Sequence, residues 1–374
     1  MTERAGKGRK RDAAVSVGMT RGELAFCLLG ILALLLTFGF ADTAIGAMSE
    51  GMKLCVGVVV PSLFPFMVFS DILVSSGGAR LIAMPFSKLA GKLFGLSREG
   101  SVPLVLGILC GFPLGTRAAL SLYSEGKISR GETEHLLCFC NGPSAAFLIN
   151  AVGLSLFGSR DFGILLYCSQ MLSSLVVGVL LRRHFKKKSG APTLILSCAE
   201  EVKAKRGVLS SIVGAVTGAS EGMVSICAFV IFFSALTGVL REILSSFGVS
   251  EAAEAALLGF FEMTGGVSAA STLSLPLSCL LAAAIVGWSG LSVHFQMIGL
   301  CEEKRMALAP YFASKLATAA LNVLLVAIGM SLLGEKIAFT TPSAPPVFLT
   351  PTVTPVHLLS VAVLALGVRK KKVN

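Results

Sequence analysis

Residues 107–117 read Gly-Ile-Leu-Cys-Gly-Phe-Pro-Leu-Gly-Thr-Arg and lie at the centre of the apolar run Val102–Leu122. Pro113 lacks a backbone donor and disrupts a helix, whereas Gly111 and Gly115 permit a tight reversal of the chain. At membrane depth a backbone leaves helical geometry only where protein or water satisfies its polar groups. The stretch therefore predicts a helical hairpin that enters a membrane and returns to the same side.

The composition of the whole chain agrees with a membrane location. Hydrophobic residues make up 54% of the 374 residues, charged residues make up 14%, and the mean hydropathy is +0.82. Soluble domains carry roughly 25% charged residues. Apolar runs such as Cys27–Phe40, Phe162–Leu181 and Leu316–Leu333 approach or reach the length of a bilayer span. These values predict an all-α polytopic membrane protein and argue against soluble enzymes, nucleic-acid binders and disordered chains.

The net charge of +11 is concentrated beside the apolar spans. Basic residues cluster in the N-terminal tail, between Arg182 and Arg206, and at Arg369–Lys372. Because Lys and Arg next to membrane spans mark the cytoplasmic side, we predict that both chain termini are cytoplasmic. The alternative, a patch that binds nucleic acid or anionic lipid, is less favoured.

This placement of the basic clusters divides the chain into six segments. They are a basic cytoplasmic tail at 1–22, a first transmembrane helix at 23–46, a first repeat at 47–182, a basic cytoplasmic loop at 183–207, a second and inverted repeat at 208–334, and an outer loop, a last transmembrane helix (Val356–Val368) and a basic tail at 335–374.

Both repeats have the same predicted order: a span, a Gly-rich hairpin, an interrupted span and a continuous span. The basic clusters can all be cytoplasmic only if Val102–Leu122 and Ala255–Leu275 each enter and leave the membrane on one side. The second repeat then has the opposite orientation to the first. Paired inverted repeats with re-entrant hairpins and broken helices are typical of secondary transporters, in which the solute binds near the midplane.

The interruptions of the apolar runs supply the residues that we expect to contact a solute. Buried charges and polar groups in a membrane are expensive and therefore informative, while glycines there have the alternative role of close helix packing. The predicted substrate-binding residues are Gly111, Pro113, Gly115, Thr116, Arg117, Asn141, Gly142, Pro143 and Ser144 in the first repeat, and Glu262, Thr264, Gly265, Gly266, Ser289 and Gln296 in the second.

Arg117 and Glu262 are the charged residues at these interruptions. An anionic solute would be recognised by Arg117 and the N-termini of half-helices, and a coupling cation by Glu262 and free carbonyls. The alternative is that Arg117 and Glu262 pair and hold the two hairpins together. Asp71 and Lys315 are expected to lie toward cytoplasmic helix ends.

Motifs for nucleotide binding, zinc hydrolysis or a nucleophilic serine are absent from the sequence. The ten cysteines follow no metal-binding spacing. We therefore predict neither an enzyme nor a catalytic residue, and no metal or other cofactor. The coupling ion stays open between Na⁺ and H⁺.

Several motifs of the first repeat together resemble those of one family. They are Pro61-Ser-Leu-Phe-Pro65, Gly111-Phe-Pro-Leu-Gly115, Tyr123-Ser-Glu-Gly-Lys-Ile-Ser129 and Cys138-Phe-Cys-Asn-Gly-Pro143. From about Met48 to Leu333 the chain resembles the YlbJ (SpoVV) family of sporulation integral membrane proteins. That family carries the nucleoside-recognition Gate domain and is similar in architecture to concentrative nucleoside transporters.

The resemblance implies a function and a location. It implies two Gate repeats that export dipicolinic acid from the mother cell toward the forespore, across the outer forespore membrane. The predicted partners are thus a small anionic solute and the lipid bilayer, without nucleic acid, and a homo-oligomer is left open. The alternatives are a transporter of nucleosides or another small metabolite, and a non-transporting scaffold of the spore envelope.

Overall fold

The computed structural model describes residues 20–76, 78–186, 208–334 and 337–339. Every regular element in these ranges is helical, which confirms the predicted all-α class. The predicted last span Val356–Val368 and the outer loop before it lie outside the described residues, as do the N-terminal tail up to residue 19 and most of the basic loop at 183–207.

The first helix, α1 (Arg21–Gly39), belongs to a unit of its own that ends at Ala41. Its N-terminus is closed by a capping box between Thr20 and Glu23. The Glu23 backbone N–H donates to Thr20 Oγ1 at 3.3 Å, and Thr20 N–H donates to the Glu23 carboxylate at 2.7 Å. The helix is long and apolar enough to cross a membrane.

The second unit covers the rest of the chain and contains both predicted repeats. Helices of the first half are α2 (Ala41–Leu54), α3 (Val60–Ser75), α4 (Gly78–Phe94), α5 (Ser101–Cys110), α6 (Leu114–Ser124), α7 (Arg130–Phe139), a π-helical segment Phe147–Leu156, and α8 (Arg160–Lys186). A π-helical turn, Cys55–Val59, joins α2 to α3. Helices of the second half are α9 (Val208–Ser246), α10 (Glu251–Phe261), α11 (Met263–Ser271), α12 (Leu277–Trp288), α13 (Gly290–Cys301) and α14 (Ala309–Leu333).

The two halves repeat one order of elements. In the first half a hairpin (α5–α6) is followed by a broken helix (α7 and Phe147–Leu156) and then by the continuous helix α8. In the second half a hairpin (α10–α11) is followed by a broken helix (α12–α13) and then by the continuous helix α14. These are called below the first and second hairpins and the first and second broken helices.

Glycines allow the two arms of each hairpin to lie against each other. A Cβ atom placed on Gly115 would lie 2.8 Å from Gly107 Cα across the first hairpin. A Cβ atom on Gly266 would overlap the backbone of Gly259 across the second. Real Cβ atoms do not approach backbone this closely, so both crossings depend on the missing side chains. Both glycines therefore take part in close helix packing.

Equivalent helices of the two halves run antiparallel. Along the contact of α2 and α3 with α9, Gly51 packs on Ser234, and the Cys55 thiol lies 3.8 Å from the Cys227 carbonyl oxygen. Met67 and Ala219 share the apolar cluster further along the same contact. Since residue numbers rise on one side as they fall on the other, the two halves have opposite orientations. This agrees with the predicted inverted repeats.

Within the described residues five helices are long and apolar enough to cross a membrane. They are Arg21–Gly39, Arg160–Phe185, Leu209–Ser246, Leu277–Lys304 and Ala309–Leu333, where the fourth includes the break between α12 and α13. The arms of the hairpins are much shorter, with 10 and 11 residues in α5 and α6 and 11 and 9 in α10 and α11.

Candidate functional site

The interruptions of the first hairpin and the first broken helix are bonded to each other. Phe112 N–H donates to the Gly142 carbonyl oxygen at 2.8 Å. Gly111, with a φ of +77°, presses on the backbone of residues 142–144, and a Cβ atom on it would lie 2.7 Å from Ser144 N. Glycine is required at this position both for its left-handed φ and for the close approach.

The second half has the same arrangement, except that the glycine belongs to the broken helix and not to the hairpin. Gly290, also at a φ of +77°, begins α13, and a Cβ atom on it would lie 2.9 Å from Met263 N in the second hairpin. Ser289 before it has a φ of +77° as well, which is uncommon for a residue with a side chain. Two successive left-handed residues end α12 sharply and bring the break against the start of α11.

Lys315 of α14 connects the breaks of the two broken helices. Its ammonium group donates to the Asn141 carbonyl oxygen at 3.2 Å and to Ser289 Oγ at 3.4 Å. Lys315 is only 2% exposed. Together with the contacts above, these bonds bring all four interruptions into one buried group, which we call the central site: residues 111–113, 140–144, Glu262 and 289–290.

Lys315 lies in the second turn of α14, toward the N-terminal end of that helix, but its side chain is buried and does not reach out to a membrane surface as expected. Lys315 belongs to a polar face of α14 that is turned into the protein. The buried residues of this face recur every three or four positions and are Tyr311, Ser314, Lys315, Thr318 and Asn322. That helical spacing was present in the sequence and could have placed the lysine inside.

Arg117 lies beside the central site but points away from it, toward α3 and α9. Its Nη2 atom donates to Asp71 Oδ2 at 3.3 Å and to the Gly218 carbonyl oxygen at 3.0 Å. The alternative in which Arg117 pairs with Glu262 is therefore not observed. Arg117 Nη1 is buried and has no hydrogen-bond partner, so one donor of the guanidinium group is still open.

Glu262 forms the N-cap of α11 in the second hairpin. Its Oε1 accepts from Thr264 N–H at 2.9 Å and its Oε2 accepts from Gly265 N–H at 2.6 Å. A carboxylate in this position satisfies two free backbone donors and matches the positive end of the helix dipole. The two carboxylate oxygens of this buried residue are thus held within the hairpin itself.

The remaining predicted residues have partners within the protein. Thr116 Oγ1 lies 3.7 Å from Met297 Sδ, so the first hairpin touches α13 of the second half. Gln296 Nε2 lies 3.4 Å from Ser292 Oγ one turn earlier on α13, and Ser144 Oγ accepts from Phe147 N–H at 3.3 Å. The other predicted positions belong to the turns already described: Pro113 precedes α6, and Gly142 and Pro143 lie in the break of the first broken helix.

Several buried polar atoms of this unit have no partner. Besides Arg117 Nη1, the described residues contain five buried side-chain atoms with no hydrogen bond: Asn141 Oδ1, Gln170 Oε1, Ser173 Oγ, His294 Nε2 and Asn322 Oδ1. They lie in the first break, α8, α13 and α14. Gln170, Ser173 and Asn322 were not predicted, although each is a polar residue inside an apolar run. Unpaired polar atoms are costly in an apolar interior, so such atoms favour a site that receives water, an ion or a solute.

These features define a multi-pass, all-helical integral membrane protein built from two oppositely oriented halves around a buried polar centre. The chain is 29% identical over 299 residues to the sporulation integral membrane protein YlbJ of Bacillus subtilis (strain 168), a match that covers 72% of this chain and 73% of the relative. This similarity confirms the resemblance that the motifs indicated.

A search of solved structures finds CNTnw in an inward-facing substrate-bound state. The match has 14% sequence identity and a TM-score of 0.41, and it covers 85% of this chain and 88% of that chain. A TM-score this low establishes no common fold. No protein-family model matches the chain.

Proposed function

We propose that this protein is a secondary transporter, and not an enzyme, that moves a small organic anion across a membrane by alternating access. The single observation that supports this most is the central site itself. Four interruptions, two from each of two oppositely oriented halves, meet at one buried position. Broken helices that meet at the interface of inverted repeats are where transporters of this kind bind solute.

The short hairpin arms support the re-entrant part of the proposal. At 1.5 Å per residue, arms of 9 to 11 residues reach only about 14–17 Å. The hydrocarbon core of a bilayer is about 30 Å thick. An arm therefore reaches about halfway, and the turn at its tip comes to lie near the midplane, with the central site.

Positive charge at and beside the central site supports an anionic solute. Lys315 is a buried cation, and among the described residues no carboxylate forms an ion pair with it. Arg117 keeps one unpartnered buried donor, whereas the charge of Glu262 is engaged by the N-terminus of α11. The N-termini of α6 and α13 have no side-chain cap and would attract a carboxylate.

Dipicolinate, a small aromatic dicarboxylate, is the solute we propose. The similarity to a sporulation membrane protein supports a role in spore formation. The anion would then pass from the mother cell toward the forespore through the outer forespore membrane, with both chain termini in the cytoplasm.

Uptake of radiolabelled dipicolinate into proteoliposomes that contain the purified full chain tests this function. We expect uptake that exceeds that of empty vesicles and is reduced by unlabelled dipicolinate but not by nucleosides. Uptake equal to that of empty vesicles would support the scaffold alternative. Transport of labelled nucleosides that dipicolinate does not inhibit would support the nucleoside alternative.

Replacing Arg117 tests the role predicted for this side chain. Loss of a hydrogen bond to a charged group corresponds to about 10- to 150-fold in binding, so we expect Arg117→Gln to lower uptake by at least about tenfold. Arg160→Gln, a change at an exposed arginine, is the control. If Arg117 served only its ion pair with Asp71, the double variant Asp71→Asn, Arg117→Gln would recover uptake; we expect no recovery.

A further inference from the structure

We propose that the ammonium group of Lys315 is the resident cation of a cation site formed by the two broken helices, so that transport needs no metal cation at that position. The inference rests on the proposed function and adds to it the identity of the charge that the central site carries. It concerns a residue to which the motifs of the sequence assigned no role.

The ligands of Lys315 come from corresponding places in the two halves. α7 ends at Phe139 and α12 ends at Trp288. The two acceptors lie within two residues of these ends, the Asn141 carbonyl oxygen at 3.2 Å and Ser289 Oγ at 3.4 Å. In transporters with broken helices, the C-terminal ends of half-helices and free carbonyls are the groups that coordinate a coupling cation. Here a side-chain ammonium takes that position.

The electrostatics of the two helix ends account for a buried lysine without a counter-ion. Lys315 is 2% exposed, and no carboxylate of the described residues pairs with it. An isolated buried ammonium is strongly unfavourable unless opposite charge is close. Each helix C-terminus carries about half a negative elementary charge. Two such ends together offset part of the ammonium charge, and the remainder is the positive charge that favours an anionic solute.

Two other polar groups of this region, His294 and Glu262, are held by partners of their own. His294 Nδ1 is bonded to Tyr311 Oη at 2.8 Å, one turn before Lys315 on α14. The Glu262 carboxylate is held by Thr264 N–H and Gly265 N–H. Neither group supplies an anionic oxygen to Lys315 in the described structure, so the helix ends and hydroxyl oxygen are its ligands.

A metal cation and the ammonium cannot share this position, because like charges at close distance repel. Wild-type uptake of dipicolinate into proteoliposomes should therefore be the same in sodium chloride and in choline chloride, at fixed pH, membrane potential and solute gradient. We expect the two rates to agree within about twofold. A cation can shift the transport cycle only if it binds one conformation more tightly than another, and Na⁺ has no access to this site. A wild-type rate that falls tenfold or more without Na⁺ would overturn the proposal.

Lys315→Ala removes the resident charge and leaves its ligands in place. In choline we expect uptake to fall by at least about tenfold, and Na⁺ or ethylammonium to restore a measurable part of it by filling the vacated position. Lys88→Ala, at an exposed lysine of α4, is the matched control and should respond to neither cation. Loss of uptake in Lys315→Ala that neither cation restores would contradict the resident-cation role and favour direct contact of Lys315 with the solute.

A second measurement does not depend on transport. Thermal unfolding of the purified protein can be followed by the fluorescence of Trp288, the only tryptophan of the chain, which directly precedes the ligand Ser289. Na⁺ or ethylammonium should raise the unfolding temperature of Lys315→Ala but not that of wild type or Lys88→Ala. Equal responses of all three proteins would refute the cation site.

The two proposals fail in different ways. Absence of dipicolinate uptake together with cation-specific stabilisation of Lys315→Ala would overturn the proposed function and leave the cation site standing. Dipicolinate uptake that depends on Na⁺ in wild type would overturn the resident-cation proposal and leave the proposed function standing. If Lys315→Ala does not fold, the comparison of wild-type uptake with and without Na⁺ still tests the proposal. Lys315→Arg keeps the charge, and we expect its uptake to remain independent of Na⁺. A sodium requirement that appears in Lys315→Arg would count against the proposal.

Discussion

Replacing Gly266 by alanine is expected to force apart the two arms of the second hairpin, whereas the same change at its neighbour Gly265 is not. A Cβ atom on Gly266 would overlap the backbone of Gly259 and lie 3.2 Å from the Leu258 carbonyl carbon. On Gly265, among the residues that the structure describes, the neighbour within 4 Å is Glu262 Oε2, at 3.3 Å. The first obstacle is backbone of the opposite arm, and the second is one atom of a side chain.

The two variants form a matched pair for which the magnitude can be worked out. Alanine in place of glycine within a helix stabilises it by up to about 1 kcal/mol, and this gain is common to both positions of α11. Inserting a methyl group into a closely packed contact costs about 1–3 kcal/mol. Gly266→Ala should therefore have a free energy of unfolding about 1–3 kcal/mol below that of Gly265→Ala, which corresponds to about 5- to 150-fold in the unfolding equilibrium.

Trp288 provides the assay, because it is the only tryptophan and packs on the second hairpin. Its indole N–H donates to the Phe260 carbonyl oxygen at 3.0 Å, and the Trp288 and Phe260 rings stack with their centroids 5.5 Å apart. Equilibrium unfolding in mixed micelles with increasing SDS, followed by tryptophan fluorescence, would report the loss of this contact. Equal unfolding free energies for Gly265→Ala and Gly266→Ala, within about 0.5 kcal/mol, would refute the packing argument.

Two further predictions concern orientation and capping. The background for the first is a chain in which the exposed Cys27 and Cys168 are replaced by serine. In it, Ser124→Cys after the first hairpin should react with an impermeant maleimide from the cytoplasm, and Ser250→Cys before the second hairpin from the opposite side of the membrane. Labelling of both from one side would contradict inverted halves. Glu262→Ala should lower the free energy of unfolding by about 0.5–2 kcal/mol through loss of the α11 cap, measured in the same micelle titration, and a value unchanged from wild type would show that the cap contributes nothing.

The sequence predicted the places where helices break because those places are decided locally. Pro113 and Gly111 act on their own backbone, through a missing donor and an accessible left-handed φ, and their effect needs no partner elsewhere. The observed hairpin turns at Gly111 and Glu262 and the break at Ser289 lie where the glycine-rich stretches placed them. Their common position in space also followed, once the basic clusters required two inverted halves.

The partners of the charged residues were much harder to predict. Arg117 was expected to face a solute or to pair with Glu262, and the pairing is wrong: Arg117 donates to Asp71, 46 positions earlier in the chain. Lys315 was expected to reach from a helix end toward the membrane surface, and its ammonium group instead lies between two broken helices. A charge in a membrane interior must find an opposite charge or a dipole, but composition alone does not say which of several available groups it will reach.

The sequence by itself determined the class of protein, the helical content and the positions of the interruptions, since hydropathy over about 20 residues and the backbone chemistry of glycine and proline are properties of short stretches. Only the tertiary structure decided which interruptions touch and which cation they enclose. The bond from Lys315 to the Asn141 carbonyl oxygen joins residues 174 positions apart. Contacts at such a separation depend on how two halves pack against each other, and no local pattern encodes that packing.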